Sequence, residues 1–351
     1  MRMRLRSKAW LAALACALAV PAWATADQAD PVHDGAPAAG PLLVLHGGAG
    51  VERASLPPAE EAAAREALAT ALRAGHAVLR EGGSALDAVT AAIAVLEDAP
   101  QFNAGRGAVF THEGRNELDA AIMDGASGRA GAIAGVRRVR NPIRLARTVM
   151  EDSPHVMLVG EGAETFAGER GVELVDPSWF RTEKRSQQLQ DALARERGQA
   201  SAGPAPAHPY FGTVGAVALD SSGQLAAGTS TGGMTNKRWG RVGDAPLVGA
   251  GTWADARCAV SGTGWGEFYI RAAAAHEICA RVRLAGQPLA VAAEAVINRE
   301  IPAAGGNGGA IVLGADGSIA LPFNTGGMYR GWIGADGVPH VAVFDEPLPL
   351  P

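Results

Sequence analysis

Apolar and polar positions along the chain alternate in short blocks punctuated by glycine, with longer runs of helical spacing between them. Pro41-Leu42-Leu43-Val44-Leu45 reads as a short buried strand that ends in His46-Gly47-Gly48-Ala49-Gly50. Pro57 and Pro58 open a helix predicted through Arg80 and closed by Gly82-Gly83. Ser84 with Asp87 resembles a capping box, Val89, Ile93 and Leu96 give the second helix a buried stripe, and Pro100 lies beyond its end. The texture then changes. Ala108-Val109-Phe110, Leu118 to Met123 and Ala130 to Val136 read as strands divided by Glu113-Gly114 and Asp124-Gly125. A helix is expected from Asn141-Pro142 to about Met150, a strand over Val156 to Val159 and a short helix over Glu161 to Glu169.

Between Arg181 and His208 the pattern dissolves. Glu183-Lys184-Arg185 starts a helix that fades through a Gln-rich run into Ala202-Gly203-Pro204-Ala205-Pro206-Ala207, the composition of an interdomain linker or a flexible tail. After Thr213 the pattern resumes. Val214 to Leu219 and Leu225 to Ser230 read as paired strands turning at Ser222-Gly223. Glu267 to Leu284 reads as one long helix and Pro288 to Arg299 as another. Gly309 to Leu313 and Ser318 to Leu321 form a hairpin turning at Asp316-Gly317. Sheet, helix and sheet on each side of the linker predict α+β layers.

Composition narrows this picture. The 351 residues are 48% hydrophobic, enough for a substantial core in one large domain or two. Residues 1–26 read as an export signal. Arg2, Arg4, Arg6 and Lys8 precede the apolar run Ala9 to Val20, and Ala22-Trp23-Ala24 and Ala24-Thr25-Ala26 each offer a small-x-small cleavage site. Ala13 is a poor start for a lipobox at Cys16, so export to a bacterial periplasm is expected. Removing that segment takes away four positive charges and no acids, moving the formal charge from −5 to −9. So acidic a protein argues against a nucleic-acid partner. No remaining stretch approaches the roughly 20 apolar residues of a membrane span. Cys258 and Cys279 could form one disulfide, but they make no zinc site, and two buried small hydrophobes are the expectation.

The candidate chemistry centres on Tyr210-Phe211-Gly212-Thr213-Val214. A threonine hydroxyl is a weak nucleophile until a base takes its proton, and a threonine at a chain start carries that base in its own α-amine. Such an amine has a pKa of about 7.7–8.0, so a useful fraction is neutral near pH 7. Cutting Gly212–Thr213 would liberate it, and glycine tolerates the backbone geometry such an attack requires. Pairing across Ser222-Gly223 brings Gly228-Thr229-Ser230-Thr231-Gly232-Gly233-Met234-Thr235-Asn236-Lys237 toward the same end. Arg241 and Asp244 lie on one tight loop and suit a zwitterion, arginine gripping a carboxylate and aspartate an ammonium, unless they merely form a surface ion pair. Ser261-Gly262-Thr263-Gly264-Trp265-Gly266-Glu267 precedes a helix, where backbone N–H groups could hold an oxyanion or form a plain glycine-rich cap.

These segments resemble the plant-type asparaginases, or isoaspartyl peptidases, which are N-terminal-nucleophile hydrolases. The resemblance also runs through His46 to Gly50, Phe102-Asn103-Ala104-Gly105, Glu117-Leu118-Asp119-Ala120 and Pro322-Phe323-Asn324-Thr325-Gly326-Gly327-Met328, in the family's order. It implies an αββα sandwich of two antiparallel sheets between helical layers. It also implies one domain cut into an α subunit, 27–212, with 181–212 as a flexible tail, and a β subunit, 213–351. By the same resemblance Gly212 and Thr213 flank the cleavage site, and Thr213 is the nucleophile with Thr231 assisting. Thr263 and Gly264 form the oxyanion hole, Arg241 and Asp244 bind the α-groups of an aspartyl moiety with Gly266 beside them, and Gly48 assists maturation. Substrates would be L-asparagine and β-aspartyl dipeptides, and the mature form an (αβ)₂ heterotetramer. No cofactor is implied for catalysis. A sodium-like ion is implied on backbone carbonyls of Leu96, Glu97, Ala99, Phe102, Ala104 and Arg106. The sequence departs from the pattern at its export signal and at Trp265, where a smaller residue is usual.

Three other readings compete. Gly228-Thr229-Ser230-Thr231-Gly232 fits the G-x-S-x-G of serine hydrolases, with Asp244 or Asp255 and His276 or His340 completing a triad, but the glycines that follow do not make the required helix. A glycosylasparaginase is a nearer relative, though Gly232 to Lys237 resembles the isoaspartyl peptidase branch better. A periplasmic binding protein could hold aspartate on Arg241 and Asp244 without cutting itself or releasing a product.

Overall fold

Period-two alternation along the strands decides how this molecule is layered. The computed structural model describes residues 40–198 and 212–351; the expected export signal and most of the Ala/Pro-rich linker lie outside the described residues. In chain order the strands are β1 Leu42–Ala49, β2 Leu118–Asp124, β3 Ala130–Val136, β4 Met157–Val159, β5 Val214–Leu219, β6 Leu225–Thr231, β7 Thr252–Ala254, β8 Cys258–Gly264, β9 Gly308–Gly314, β10 Ile319–Ala320, β11 Met328–Ile333 and β12 His340–Ala342. The helices are α1 Pro58–Arg80, α2 Ala85–Asp98, α3 Pro142–Asp152, α4 Gly160–Glu169, α5 Glu183–Glu196, α6 Gly266–Ala272, α7 Ala274–Ala285 and α8 Leu289–Ala295. Eight strands form one sheet in the order β12-β11-β1-β5-β6-β2-β3-β4, and four form another in the order β10-β9-β8-β7. Their pairings are antiparallel except β3 with β4.

Successive side chains of a strand point to opposite faces. Leu43 and Leu45 of β1, with Val214, Ala216 and Ala218 of β5, therefore pack under α1, α2 and α3. Leu42 and Val44, with Val217 and Leu219, face Ala259, Ile311 and Leu313 of the small sheet. Val260, Ala310 and Val312 on that sheet's far side pack against Ile278, Ala292 and Ile297. Three apolar interfaces between four layers make the α+β αββα sandwich. Each fully buried leucine or valine in them contributes about 1.5–3 kcal/mol relative to exposure.

The helix ends follow their caps. Ser84 accepts from the Asp87 N–H while Asp87 accepts from the Ser84 N–H, a complete capping box on α2. Elsewhere the structure departs from the sequence reading. Ala108-Val109-Phe110 is no strand and makes only an isolated bridge from Phe110 to Asn116. The expected long helix from Glu267 breaks at Ala273, at φ 47° and ψ 46°. The break frees the first amides of α7 to reach a loop, Ala275 N–H donating to the Ala250 carbonyl at 3.0 Å and His276 N–H to Gly249 at 2.9 Å. The helix after Pro288 continues from α8 through a π turn, Val296–Glu300.

The expected flexible tail does not begin at residue 181. Helix α5 spans 14 residues and is tied down. Lys184 pairs with Glu60, the Arg185 Nε donates to the Gly107 carbonyl at 2.7 Å, and Asn236 Nδ2 donates to Glu196 at 2.8 Å. Cys258 and Cys279 are also more than separate small hydrophobes. They form a disulfide between β8 and α7 across 21 residues of sequence. Both lie in one apolar cluster, which is why burial was legible and bonding was not. Closing a loop of that size restricts the unfolded chain, a term worth about 3 kcal/mol. Cys279→Ala is expected to lower stability by about that amount, seen as an earlier thermal unfolding transition that added reductant no longer shifts.

Candidate active site

The face between the two sheets carries the chemistry wherever its apolar pattern gives way. Continuing the inward parity of β1, β5, β6 and β8 past Val44, Val217, Ala227 and Ala259 leads to His46, Thr213, Thr229, Thr231, Ser261 and Thr263. Antiparallel pairing brings them together, since Val214 lies opposite Ser230 and His46 opposite Gly215.

Thr213 stands at the head of β5. Its hydroxyl donates to Thr231 Oγ1 at 3.1 Å, and that oxygen also accepts from the Gly233 N–H at 3.0 Å. The carbonyl of Gly212, immediately upstream, accepts from the Asn103 N–H at 2.9 Å. That donor polarises the carbonyl and would stabilise negative charge developing on it. Asn103 spends its remaining groups on the same corner. Its side chain donates to the Gly233 carbonyl at 2.7 Å and accepts from Val109 N–H at 2.9 Å, and its carbonyl accepts from Gly232 N–H at 3.0 Å. Gly48, at φ 110°, backs against this point so closely that an added Cβ would overlap Gly212 Cα.

Behind Thr213 runs a fully buried polar chain. His46 Nδ1 lies 3.0 Å from the Thr213 carbonyl, and Nε2 lies 2.9 Å from Ser261 Oγ. A carbonyl can only accept, so Nδ1 carries the proton. Burial pushes His46 down to about 3, leaving a neutral ring whose Nε2 accepts from Ser261. Ser261 continues to Thr229 at 2.7 Å, and Thr252 Oγ1 lies 2.6 Å from Thr229 and 3.1 Å from the Ala245 carbonyl. The head of β5 is thereby tied to the loop that carries Asp244. His46 and Ser261 belonged to the quoted motifs, yet only their placement on the inward face gives them a part.

Thr263 Oγ1 accepts from the Ala49 N–H at 3.2 Å, which fixes the end of β8 against the glycine loop beside Gly48. Arg241 and Asp244 come together around Gly266, where a Cβ would lie 2.8 Å from Asp244 Oδ1 and 2.9 Å from Arg241 Nη2. They do not form the simple ion pair considered from sequence. The Arg241 fork is bidentate on Glu267, at 3.0 and 2.9 Å. Asp244 is buried, and its Oδ2 accepts no hydrogen bond among the described residues. Burial raises its pKa to about 6, against the opposing pull of Arg241. A buried carboxylate oxygen left without a donor is costly, and a cationic ligand would relieve it.

Between residues 96 and 106 the carbonyls crowd inward. Cβ atoms at Gly105 and Gly107 would overlap the carbonyl oxygens of Glu97 and Phe102, so the two glycines leave a cradle lined by main-chain oxygen. Carbonyls of Leu96, Ala99 and Ala104 already accept from Ala99, Phe102 and Gly107 N–H groups. The Glu97 side chain points elsewhere, accepting from Ser230 Oγ at 2.6 Å and Ile143 N–H at 2.9 Å, and burial pushes its pKa up to about 8. Ser230 therefore faces the helices rather than Thr213. A serine-hydrolase reading fails on that geometry, and His276 meets Trp253 edge-on while His340 stacks on Trp332 instead.

A family model described as asparaginase matches residues 39–343. An isoaspartyl peptidase of Escherichia coli (strain K12) is 51% identical over 311 residues, covering 87% of this chain and 96% of the relative. A probable isoaspartyl peptidase/L-asparaginase 2 of Arabidopsis thaliana is 40% identical over 325 residues, covering 86% and 98%.

The contact between Gly48 and Gly212 gives a direct test. Gly48→Ala should displace the Gly212 carbonyl from the Thr213 hydroxyl and slow any cut there by about a hundredfold, the scale of a 1 Å misplacement. Band intensities on denaturing gels over time measure it.

Proposed function

Because the chain belongs to the asparaginase family, we propose that it is a self-cleaving threonine hydrolase of β-aspartyl (isoaspartyl) dipeptides and L-asparagine. The observation that carries this reading is the pairing at the head of β5, a Thr213 hydroxyl on Thr231 at 3.1 Å directly after a Gly212 carbonyl on Asn103 at 2.9 Å.

In maturation the Thr213 oxygen attacks the Gly212 carbonyl carbon. The Gly212–Thr213 C–N bond breaks, leaving an ester on the threonine oxygen and a free α-amine. Water opens the ester and releases the Gly212 carboxylate. In turnover that amine takes the hydroxyl proton as the oxygen attacks the side-chain carbonyl of the aspartyl unit. Negative charge on that carbonyl falls to Thr263 and Gly264. The proton passes to the leaving group, which departs as ammonia from asparagine or as an amine from a dipeptide. Water then hydrolyses the β-aspartyl ester and frees L-aspartate. Arg241 holds the α-carboxylate and Asp244 the α-ammonium, so the isoaspartyl residue must have a free amino end.

The finer parts of the reading have their own support. Main-chain oxygen gathered around Gly105 and Gly107 suits a sodium-like ion, which would stiffen the loop next to Asn103 without entering the chemistry. Export to an oxidising compartment fits both the basic-then-apolar start of the chain and the Cys258–Cys279 disulfide. The two cut pieces pair as an αβ unit, doubled in an (αβ)₂ heterotetramer.

Thr213→Ala is expected to remain a single chain and to lose activity on both substrates. Wild type should give two fragments meeting at Gly212/Thr213 by mass spectrometry, and an intact, fully active wild-type chain would sink the mechanism. Asp244 adds a second step to the acid limb of the pH profile, below the one set by the Thr213 amine. Only its ionised form takes an ammonium, so with a pKa of about 6, kcat/KM for L-asparagine should fall more steeply, by about a further tenfold per pH unit, as the pH drops below that value. A slope that stays unchanged down to pH 4.5 would remove Asp244 from that part.

A further inference from the structure

Trp265 stands between Gly264 and Gly266, where the family resemblance leads to the expectation of a smaller side chain. Its ring turns aside and meets Phe268 edge-on, with ring centroids 5.0 Å apart and an interplanar angle of 76°. Although burial opposes it, the Glu267 carboxylate is held below its ordinary pKa by Arg241 and, to a lesser degree, by Trp265 beside it. That same carboxylate receives Arg241, from Nε to Oε1 at 3.0 Å and from Nη2 to Oε2 at 2.9 Å. Glu267 is half-exposed, so the pair itself adds little stability. Its geometry is the informative part.

A guanidinium presents five N–H groups along two usable edges. Glu267 fills the Nε/Nη2 edge and leaves the Nη1/Nη2 end. Nη1 lies beside Gly243 and Nη2 beside Gly266, each 2.9 Å from where a Cβ would stand, and the Asp244 carboxylate adjoins Gly266 as well. The free end of Arg241 and the Asp244 carboxylate thus meet at Gly266, where no side chain intervenes. A free arginine would lose several rotatable bonds on gripping a ligand, whereas one already held binds at lower entropic cost.

We propose that Glu267, beside the Trp265 indole, is a positioning residue for substrate: it occupies one edge of Arg241 so that the other is set for the α-carboxylate of the aspartyl moiety. The inference rests on the reading of Arg241 and Asp244 as the clamp for that zwitterion. Trp265 then acts through Glu267 on binding rather than by narrowing the oxyanion turn.

The test measures binding of L-aspartate, and of β-alanine, which lacks the α-carboxylate, to the mature enzyme by calorimetry, beside KM and kcat for L-asparagine. Glu267→Gln should weaken aspartate binding and raise KM on the order of tenfold. Trp265→Phe keeps the ring against Phe268 but loses the N–H, and should cost about threefold. Binding of β-alanine, kcat and self-cleavage should be unchanged in both. The double variant should bind no worse than Glu267→Gln alone, because both changes act through one arginine. Equal weakening of aspartate and β-alanine would mean general damage and overturn the proposal. So would unchanged or tighter aspartate binding in Glu267→Gln, the latter marking Glu267 as a competitor for the fork. A wild-type enzyme that binds aspartate but turns over neither substrate would sink the proposed activity and leave this inference standing. Aspartate binding indifferent to Arg241→Ala would remove the clamp and the inference together.

Discussion

The pairing of β5 on both of its edges is the constraint from which the rest of this site follows. β1 lies on one side and β6 on the other, so the position and direction of Thr213 are fixed by two ladders of main-chain hydrogen bonds. The first ladder brings the glycine loop of β1 against Gly212. The second delivers Thr231 to the Thr213 hydroxyl. A threonine in a loop would need its neighbours to find it. Here the neighbours arrive with the sheet, and the ladders that pin the strand do not depend on the bond ahead of it.

The inward face of the sandwich then does two kinds of work with one pattern. Near its middle the inward residues are Val44, Val217, Ala227 and Ile311, and they seal the sheets together. Toward one end the same parity brings His46, Ser261, Thr229 and Thr252, which satisfy one another with little access to water. A buried polar chain of this kind tolerates few geometries, because each lost partner leaves an unsatisfied group in a low-dielectric interior. That intolerance holds the Thr213 carbonyl and the Asp244 loop in fixed relation, though they are 31 residues apart along the chain.

Much of this was legible in the sequence. Capped helices such as α2 announced themselves, as did alternating strands such as β5 and β6, and the turn at Ser222-Gly223 aligned Thr213 with Thr231 before any coordinates. Three features were not. Strand β8 is written in small residues, Cys258 to Gly264, whose strand preference comes from the sheet around them rather than from themselves. The break at Ala273 falls on the best helix former, and only the carbonyls of Gly249 and Ala250 explain it. The partner of Arg241 could not be read either. Asp244 is its neighbour in sequence, but the guanidinium reaches across to Glu267 at the start of α6.

Strand order has a further consequence, for timing. β5 and β6 are made after the linker, yet they sit between β1 and β2, which are made before it. The first half of the chain therefore cannot complete the large sheet. Both edges of β1 and one of β2 must wait until the second half supplies their partners. The Thr213 hydroxyl and the Gly212 carbonyl acquire their partners only once that insertion is finished, because Asn103, Gly48 and Thr231 come from both halves. On the proposed mechanism cleavage would be a record of completed assembly, and a chain that stalled on the way would never acquire the amine that turnover needs.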